Sequence, residues 1–182
     1  MSDTRPELPG DANPRTTVES MIRVDHAGEY GAARIYAGQL AVLGRSGSAD
    51  TLQQMRVQEQ EHLDRFEELV VRRRVRPTAL LPLWHLAGFA LGAVTAAMGE
   101  RAAMACTVAV EEAIEVHYAG QIAALDDSEA ELRATIARVR EDELHHRDVA
   151  VAHGARQTPG FRLLSAAIKA GCRVAIAVSE RV

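Results

Sequence analysis

Cysteine is scarce in this chain: Cys106 and Cys172 are the only two, and both lie inside apolar runs. That excludes a disulfide scaffold and the sulfur-rich patterns of zinc or iron–sulfur sites, and it suits a reducing compartment. A basic excess is missing too. The net charge of −4 gives no support to nucleic-acid binding, which needs a concentrated basic surface. No G-x-G-x-x-G follows a strand-like run, so no Rossmann unit for a nicotinamide coenzyme is expected. The opening MSDTRPELPGDANPR has no apolar stretch, which argues against a secretory leader, and Asp3, Glu7 and Asp11 argue against a basic organelle-sorting peptide. A loose tail is expected over residues 1–17. The most unusual absence is internal: from Pro77 to Gly99 there is no Asp, Glu, Lys or Arg.

What is present reads as one globular domain over residues 18–182. The 182 residues are 47% hydrophobic and 25% charged, ordinary values that leave enough apolar side chains for a core. The fold class expected is all-α. One helix runs from about Val18 to Leu43 and ends in the turn-forming Gly44-Arg45-Ser46-Gly47-Ser48. A second, capped by Ser48 or Asp50, reaches about Val75, because Pro77 forbids its continuation. Beyond the uncharged segment, helices run from about Gly99 to Leu125 and from Asp126-Asp127-Ser128 to His153, with Gly154 as the stop. FRLLSAAIKAGCRVAIAVSERV forms a last, apolar helix with Lys169 and Arg173 on one side.

Two copies of one spacing run through these helices. Glu29 precedes Glu59-x-x-His62 by 30 residues, and Glu111 precedes Glu143-x-x-His146 by 32. Residues three apart share a helix face, so each Glu-x-x-His directs a carboxylate and an imidazole at one point. Four carboxylates and two imidazoles from four antiparallel helices match the ligand set of a ferritin-like di-iron or di-manganese bundle. Helical phase supports the choice. Glu59 shares its face with Leu52, Met55, His62, Leu63, Phe66 and Val70, whereas Glu61 shares its own with Gln54, Gln58, Asp64, Arg65 and Glu68. Glu143 lies with Leu132, Ile136, Val139, His146 and Ala150, a better stripe than the competing Asp142–His145 register. Glu29 lies with Ile22, Ala32, Ala33, Tyr36 and Leu40. Glu111 and Glu112 both lie on apolar stripes, and phase leaves that position open. A lone buried acid would be costly; four on apolar faces, twice with histidine, point to metal. Asp142 and Gln58, each preceding a Glu-x-x-His, are placed to reach the opposite half's histidine and hold its outer nitrogen. Tyr118 lies on the Glu111 stripe. His26, His85 and His153 are assigned no role beyond helix or loop positions.

The uncharged run, PTALLPLWHLAGFALGAVTAAMG, approaches the length of a membrane span. Pro82, His85, Gly88 and Gly92 weaken that reading, and a span would put the two hairpins on opposite sides of a membrane, unable to share a metal site. A crossover helix over 77–99, buried on the bundle or lying in a membrane interface, is expected instead. Arg72, Arg73, Arg74 and Arg76 immediately before it favour the interface with anionic lipid. Leu80, Leu81, Leu83, Trp84 and Phe89 would then meet the acyl chains.

With these residues in view, the chain resembles the demethoxyubiquinone hydroxylases over about residues 19–182. The segments that carry the resemblance are MIRVDHAGEYGAARIYAGQLAVLGR, QEQEHLDRFEEL, VRPTALLPLWHLAGFALGA, MACTVAVEEAIEVHY and AGCRVAIAVSERV. It implies a ferritin-like four-helix bundle of two hairpins plus the crossover and C-terminal helices. The implied ligands are Glu29, Glu59, His62, Glu111, Glu143 and His146, which settles Glu111 over Glu112, and His117 and Tyr118 stand near the site. The implied cofactors are two Fe ions, with Mn as an in-vitro substitute, O₂, and an external reductant such as NADH. The implied substrate is a membrane-borne polyprenyl quinone precursor that gains a ring hydroxyl. A peripheral position on the cytoplasmic face of a bacterial inner membrane, a small homo-oligomer and an accessory lipid-binding protein complete the expectation. Two rival classes remain: an iron-storage or peroxide-scavenging protein with the same ligands, and a non-catalytic lipid-binding partner in quinone synthesis.

Overall fold

The computed structural model describes residues 14–182, which form six α-helices and no strand: α1 Pro14–Leu43, α2 Ala49–Arg73, α3 Leu81–Ala97, α4 Glu100–Ala124, α5 Ala130–Ala152 and α6 Phe161–Ser179. The all-α bundle is as expected. Residues 1–13 of the expected tail, and the readings of a leader or sorting peptide made on them, lie outside the described residues. From Pro14 onward that stretch is helix. Proline suits the first helical position because its missing N–H would have no partner there.

Short connections fold α1 back along α2 and α4 back along α5. At the start of α2, Ser48 occupies the cap position, but its hydroxyl donates to Glu100 on α4 and makes no side-chain cap. Asp50 supplies the favourable negative charge in that first turn. The same helix ends at Arg73 because Arg74 adopts a left-handed conformation, φ 55°, and the Val75 N–H closes onto the Val70 carbonyl at 2.9 Å. A short 3-10 turn, Asp127–Glu129, leads into α5, with the Asp126 carboxylate accepting from the Ser128 N–H at 2.8 Å.

Two apolar layers fill the bundle. One unites Ile22, Phe66, Leu69, Tyr118, Leu132, Ile136 and Val139; the other unites Tyr36, Leu52, Met55, Met104, Val108 and Ala150. Each fully buried aliphatic or aromatic side chain contributes about 1.5–3 kcal/mol of transfer free energy. Along every bundle helix the stripe passes from one layer to the other and carries its acids between them. On α1 the order is Ile22, Glu29, Tyr36; on α2 it is Met55, Glu59, His62, Phe66. The packing on either side therefore fixes a buried polar slab.

The crossover is narrower than 77–99, with helix confined to Leu81–Ala97. It lies against α1 at glycine contacts. A Cβ at Gly92 would overlap the Ile35 carbonyl, one at Gly38 would overlap the Phe89 carbonyl, and one at Gly88 would stand 2.8 Å from the Gly31 oxygen. Alanine at any of these positions drives the helices apart, so glycine here sets close backbone approach. Outside this seam α3 leaves Leu83, Leu86, Phe89 and Val94 exposed, and α6 leaves Leu163 and Val174 exposed. Among the described residues, no helix is long and apolar enough to cross a membrane.

Candidate metal centre

Glu29 comes from α1, Glu59 and His62 from α2, Glu111 from α4, and Glu143 and His146 from α5. All six side chains belong to residues at most 3% exposed. Their oxygen and nitrogen atoms form two overlapping groups, Glu29–Glu59–His62–Glu143 and Glu59–Glu111–Glu143–His146, with the atoms of each within 4.8 Å of one another. Glu59 and Glu143 belong to both. Glu61 and His145 are exposed. The pair that phase left open is separated by packing: Glu111 is buried in the centre, whereas Glu112 turns outward and pairs with Lys169 of α6.

Both imidazoles present the same edge inward. His62 Nδ1 lies 3.1 Å from Glu143 Oε1 and 3.6 Å from Glu29 Oε2; His146 Nδ1 lies 3.1 Å from Glu143 Oε2 and from Glu59 Oε1. The outer nitrogens face polar groups of the opposite hairpin. His62 Nε2 stands 3.1 Å from Asp142 Oδ2, and His146 Nε2 stands 2.9 Å from Gln58 Oε1. An outer N–H held in this way leaves Nδ1 as the lone-pair donor, as a metal-binding histidine requires.

The charge balance indicates cations. Burial first, then repulsion from neighbouring carboxylates, pushes Glu59 and Glu111 well above the ordinary range, and burial likewise raises Glu29. Burial also opposes ionisation of Glu143, but hydrogen bonds from His146 and His62 outweigh it and hold that carboxylate down at about 2. His62 is driven up to about 12: burial disfavours its charge, and the bonds to Glu143 and Glu29 prevail. Four carboxylates cannot all ionise in so dry a space unless positive charge joins them. Both oxygens of Glu59 and the Oε2 atoms of Glu29 and Glu111 are buried without a hydrogen-bond partner. The Glu59 contact with His146 is close enough for an ion pair but is not aligned as a hydrogen bond. Oxygen lone pairs in this arrangement, with two imidazoles, fit two first-row divalent ions.

Tyrosines tie the halves together crosswise. The Tyr118 hydroxyl donates to Glu29, and the Tyr36 hydroxyl donates to Glu111 Oε1 at 3.2 Å. Burial, reinforced by those carboxylates, raises both phenols well above their ordinary value and keeps them as donors. His117 does not touch the six residues; its Nε2 faces Asp25 Oδ1 at 3.2 Å. Helical phase alone does not show Asp25 or the tyrosine cross-ties, because each contact joins α1 to α4. A signal for them exists in the chain. Glu29 and Glu111 each stand seven residues before Tyr-Ala-Gly-Gln, at 36–39 and 118–121.

The expected lipid-contact residues divide. Leu83 and Phe89 are exposed, Phe89 beneath the Arg34 guanidinium at 5.4 Å, while Leu80, Leu81 and Trp84 are half-buried. The Trp84 indole donates to Ser179 at 3.1 Å, tying α3 to the end of α6. Arg74 and Arg76 are exposed, but Arg73 makes a bidentate pair with Glu129 and Arg72 pairs with Glu131 at 2.7 Å. His85 Nδ1 stands 2.7 Å from the Tyr30 hydroxyl.

The family model "Ubiquinone biosynthesis protein COQ7" matches residues 16–179. A Rhodospirillum rubrum protein named 3-demethoxyubiquinol 3-hydroxylase is 58% identical over 176 residues, covering 96% of this chain and 83% of that protein. The human mitochondrial NADPH-dependent 3-demethoxyubiquinone 3-hydroxylase is 53% identical over 171 residues, covering 92% of this chain and 79% of its own length. The yeast mitochondrial 5-demethoxyubiquinone hydroxylase is 40% identical, with 91% and 78% covered.

Proposed function

The chain belongs to the COQ7 family of ubiquinone biosynthesis proteins, and from that premise we propose that it hydroxylates the ring of a polyprenylated demethoxyubiquinone or its quinol, using two iron ions held by Glu29, Glu59, His62, Glu111, Glu143 and His146. The observation that carries the reading is the pair of overlapping four-residue groups, buried and sharing Glu59 and Glu143. Manganese suits the same donors in vitro.

Two ferrous ions held by these six residues would supply the electrons and binding positions needed to activate O₂. The chain supplies the rest. Glu59 and Glu143, common to both groups, would serve both positions. Asp142 and Gln58 hold the outer nitrogens of His62 and His146 and so set both rings. Tyr118 and Tyr36 hold the free ends of Glu29 and Glu111. The apolar layers on either side exclude water, which would keep side reactions out of the site.

Electrons come from an external reductant of the nicotinamide class. NADH is the expected donor, and the mitochondrial relatives carry NADPH in their names. The exposed leucines, valine and phenylalanine of α3, with those of α6, form the face that meets the membrane holding the quinone. Arg74 and Arg76 supply the free cations beside it, at the cytoplasmic surface of a bacterial inner membrane. The protein works there as a small homo-oligomer with an accessory lipid-binding protein to present the substrate.

The test is to give the purified, iron-loaded protein a demethoxyquinone analogue, O₂ and reduced nicotinamide coenzyme. The expected product carries one new ring hydroxyl. No such product from protein with two irons per chain defeats the proposal. Size-exclusion chromatography separates the storage rival, since a mineral-filled shell would appear in place of a small oligomer.

A further inference from the structure

The two copies of the Glu-x₆-Tyr-Ala-Gly-Gln segment are superimposable in sequence, and their differences fall beside one corner of the metal centre. Aligned on Glu29 and Glu111, Asp25 corresponds to Thr107, Ile35 to His117, and Gln39 to Gln121. In space the segments cross, so the corner at Glu29 is flanked by Asp25 of α1 with His117, Tyr118 and Gln121 of α4. At the Glu111 half the corresponding residues are Thr107, Ile35, Tyr36 and Gln39, of which Tyr36 donates to Glu111. Gln39 donates to the Ala103 carbonyl at 3.1 Å, and none of Thr107, Ile35 and Gln39 titrates. One corner has a buried acid–imidazole pair; its counterpart does not.

That pair is built for one proton. Asp25 Oδ1 stands 3.2 Å from His117 Nε2, Gln121 Nε2 stands 2.8 Å from Oδ1, and Gln121 Nε2 stands 2.9 Å from His117 Nε2. Either His117 Nε2 carries the proton and donates it to an ionised Asp25, or Asp25 carries it and donates to Nε2; in both forms the Gln121 amide donates to Asp25 Oδ1. Both forms place a single proton between the same two atoms. The Asp25 side chain is 0% exposed and its Oδ2 has no hydrogen-bond partner, whereas the His117 side chain is 16% exposed. Burial raises the Asp25 carboxyl and opposes its ionisation, against the help of His117. Besides His117, the titratable groups facing Asp25 are Tyr118 of α4 and Glu180 beyond α6. Asp25 lies one helical turn from Glu29, and the His117 ring lies 6.0 Å from that of Tyr118, the Glu29 donor.

We propose that Asp25 is a positioning residue for His117, and that the pair, held by Gln121, takes up a proton from solvent at the His117 ring and stores it between Nε2 and Oδ1 beside the Glu29 corner. The proposal rests on the hydroxylase reading. In that reaction one oxygen atom replaces a ring hydrogen as hydroxyl, and the other leaves as water with two electrons from the reductant and two protons from solvent. The Glu29 corner is then the proton side of the centre.

The test compares iron-loaded wild type, Asp25→Asn, Asp25→Glu and His117→Gln. Asp25→Asn keeps the shape and the hydrogen-bonding atoms but cannot store the proton. Its kcat is expected to fall roughly a hundredfold, the low end of general acid–base contributions, with KM for the quinone analogue, iron content and Tm unchanged. The pH profile of kcat should lose the limb present in wild type, and Asp25→Glu should restore it in part. A second readout is independent of turnover. In zinc-substituted protein, the Asp25 carboxyl carbon followed by NMR should titrate above the ordinary aspartate range, and its midpoint should move higher in His117→Gln. Wild-type kcat and pH profile in Asp25→Asn, loss of iron in parallel with activity, or a midpoint indifferent to His117→Gln would each overturn the proposal. A wild type that makes no hydroxylated product would overturn the hydroxylase reading instead, and the titration would still decide whether the pair shares its proton.

Discussion

The Glu29–His62 corner of the centre and the Glu111–His146 corner are assembled from the same residue types in the same order, yet different groups stand behind them. Behind the first stand two acids, Asp142 against His62 and Asp25 against His117. Behind the second stands an amide, Gln58 against His146, and the sequence counterparts of His117 and Gln121 are the aliphatic Ile35 and the amide Gln39. A carboxylate behind a bound imidazole draws its N–H and raises its basicity more than an amide carbonyl does. As the proposed ligands, the two corners would offer metals equal donor sets with unequal electronic support.

The shared residues define the limit of that inequality. Glu143 contacts both imidazoles and Glu59 belongs to both groups. Glu143→Ala is expected to abolish binding at both positions and hydroxylation with it. Glu111→Ala should leave the Glu29 corner able to bind one ion. Iron per chain, measured after identical loading, separates the cases; equal loss from both variants would mean the corners do not bind separately.

The next largest effect is pH-dependent. Glu29, Glu59 and Glu111 have raised pKa values in the metal-free fold. Acids of that kind favour the folded state below their ordinary pKa of 4.5 and lose that contribution as pH climbs toward the raised values. Glu143 has the opposite sign, and its stabilisation is lost as pH falls from 4.5 through about 2. Above the ordinary carboxylate range the metal-free protein should therefore weaken with rising pH. Bound metal replaces those protons, so affinity should climb roughly tenfold per pH unit for each proton displaced. Thermal unfolding with and without Mn²⁺ at about pH 5 and about pH 8 checks it; a metal-induced rise in Tm that is no larger at the higher pH would contradict the charge balance.

These contrasts were only partly legible in the chain. The helices, hairpins and acid-bearing stripes follow from periodicity, because a 3.6-residue repeat with one interrupted face has few other solutions. The pairing of Asp142 and Gln58 with opposite histidines could be anticipated because each precedes a Glu-x-x-His. Glu111 and Glu112 could not be separated, since both faces of α4 are covered, one by the bundle and the other by α6 with Lys169. Gly88 and Gly92 looked like marks against a membrane span, and their contact with α1 depends on a backbone approach that a one-dimensional pattern does not contain. Arg72 and Arg73 looked free for lipid, yet they meet Glu131 and Glu129 from a segment more than fifty residues away. Asp25 carries no such mark in the chain, because its partners His117 and Gln121 come from α4.

The outer acids give the direct probe of the inequality. Asp142→Asn should weaken metal binding roughly 10- to 100-fold, the usual effect of losing such a partner. Gln58→Leu should do less, since it removes a neutral acceptor. Competition with a chelator ranks the two variants, and a larger loss for Gln58→Leu would reverse the assignment of the stronger corner.

The smallest effect is expected at the tyrosines. Tyr118→Phe and Tyr36→Phe each remove a hydroxyl that donates to a buried ligand oxygen. In the metal-free protein both acids are pushed toward the neutral form, so each lost bond is ordinary, about 0.5–1.5 kcal/mol. With metal bound the carboxylates are ionised, and a bond to a charged acceptor is worth about 1.5–3 kcal/mol. Each substitution should therefore lower the stability of the metal-loaded protein more than that of the metal-free protein. The increment should be greater for Tyr118, whose ring stacks on Phe66 at 6.4 Å, holding the hydroxyl in place. Tyr36 meets His146 edge-on at 6.2 Å and reaches Glu111 at 3.2 Å, a looser arrangement. Urea unfolding of the two variants, with and without Mn²⁺, reads the increments. If they are equal, the difference between the corners is confined to Asp25 and Asp142 and does not extend to the tyrosines.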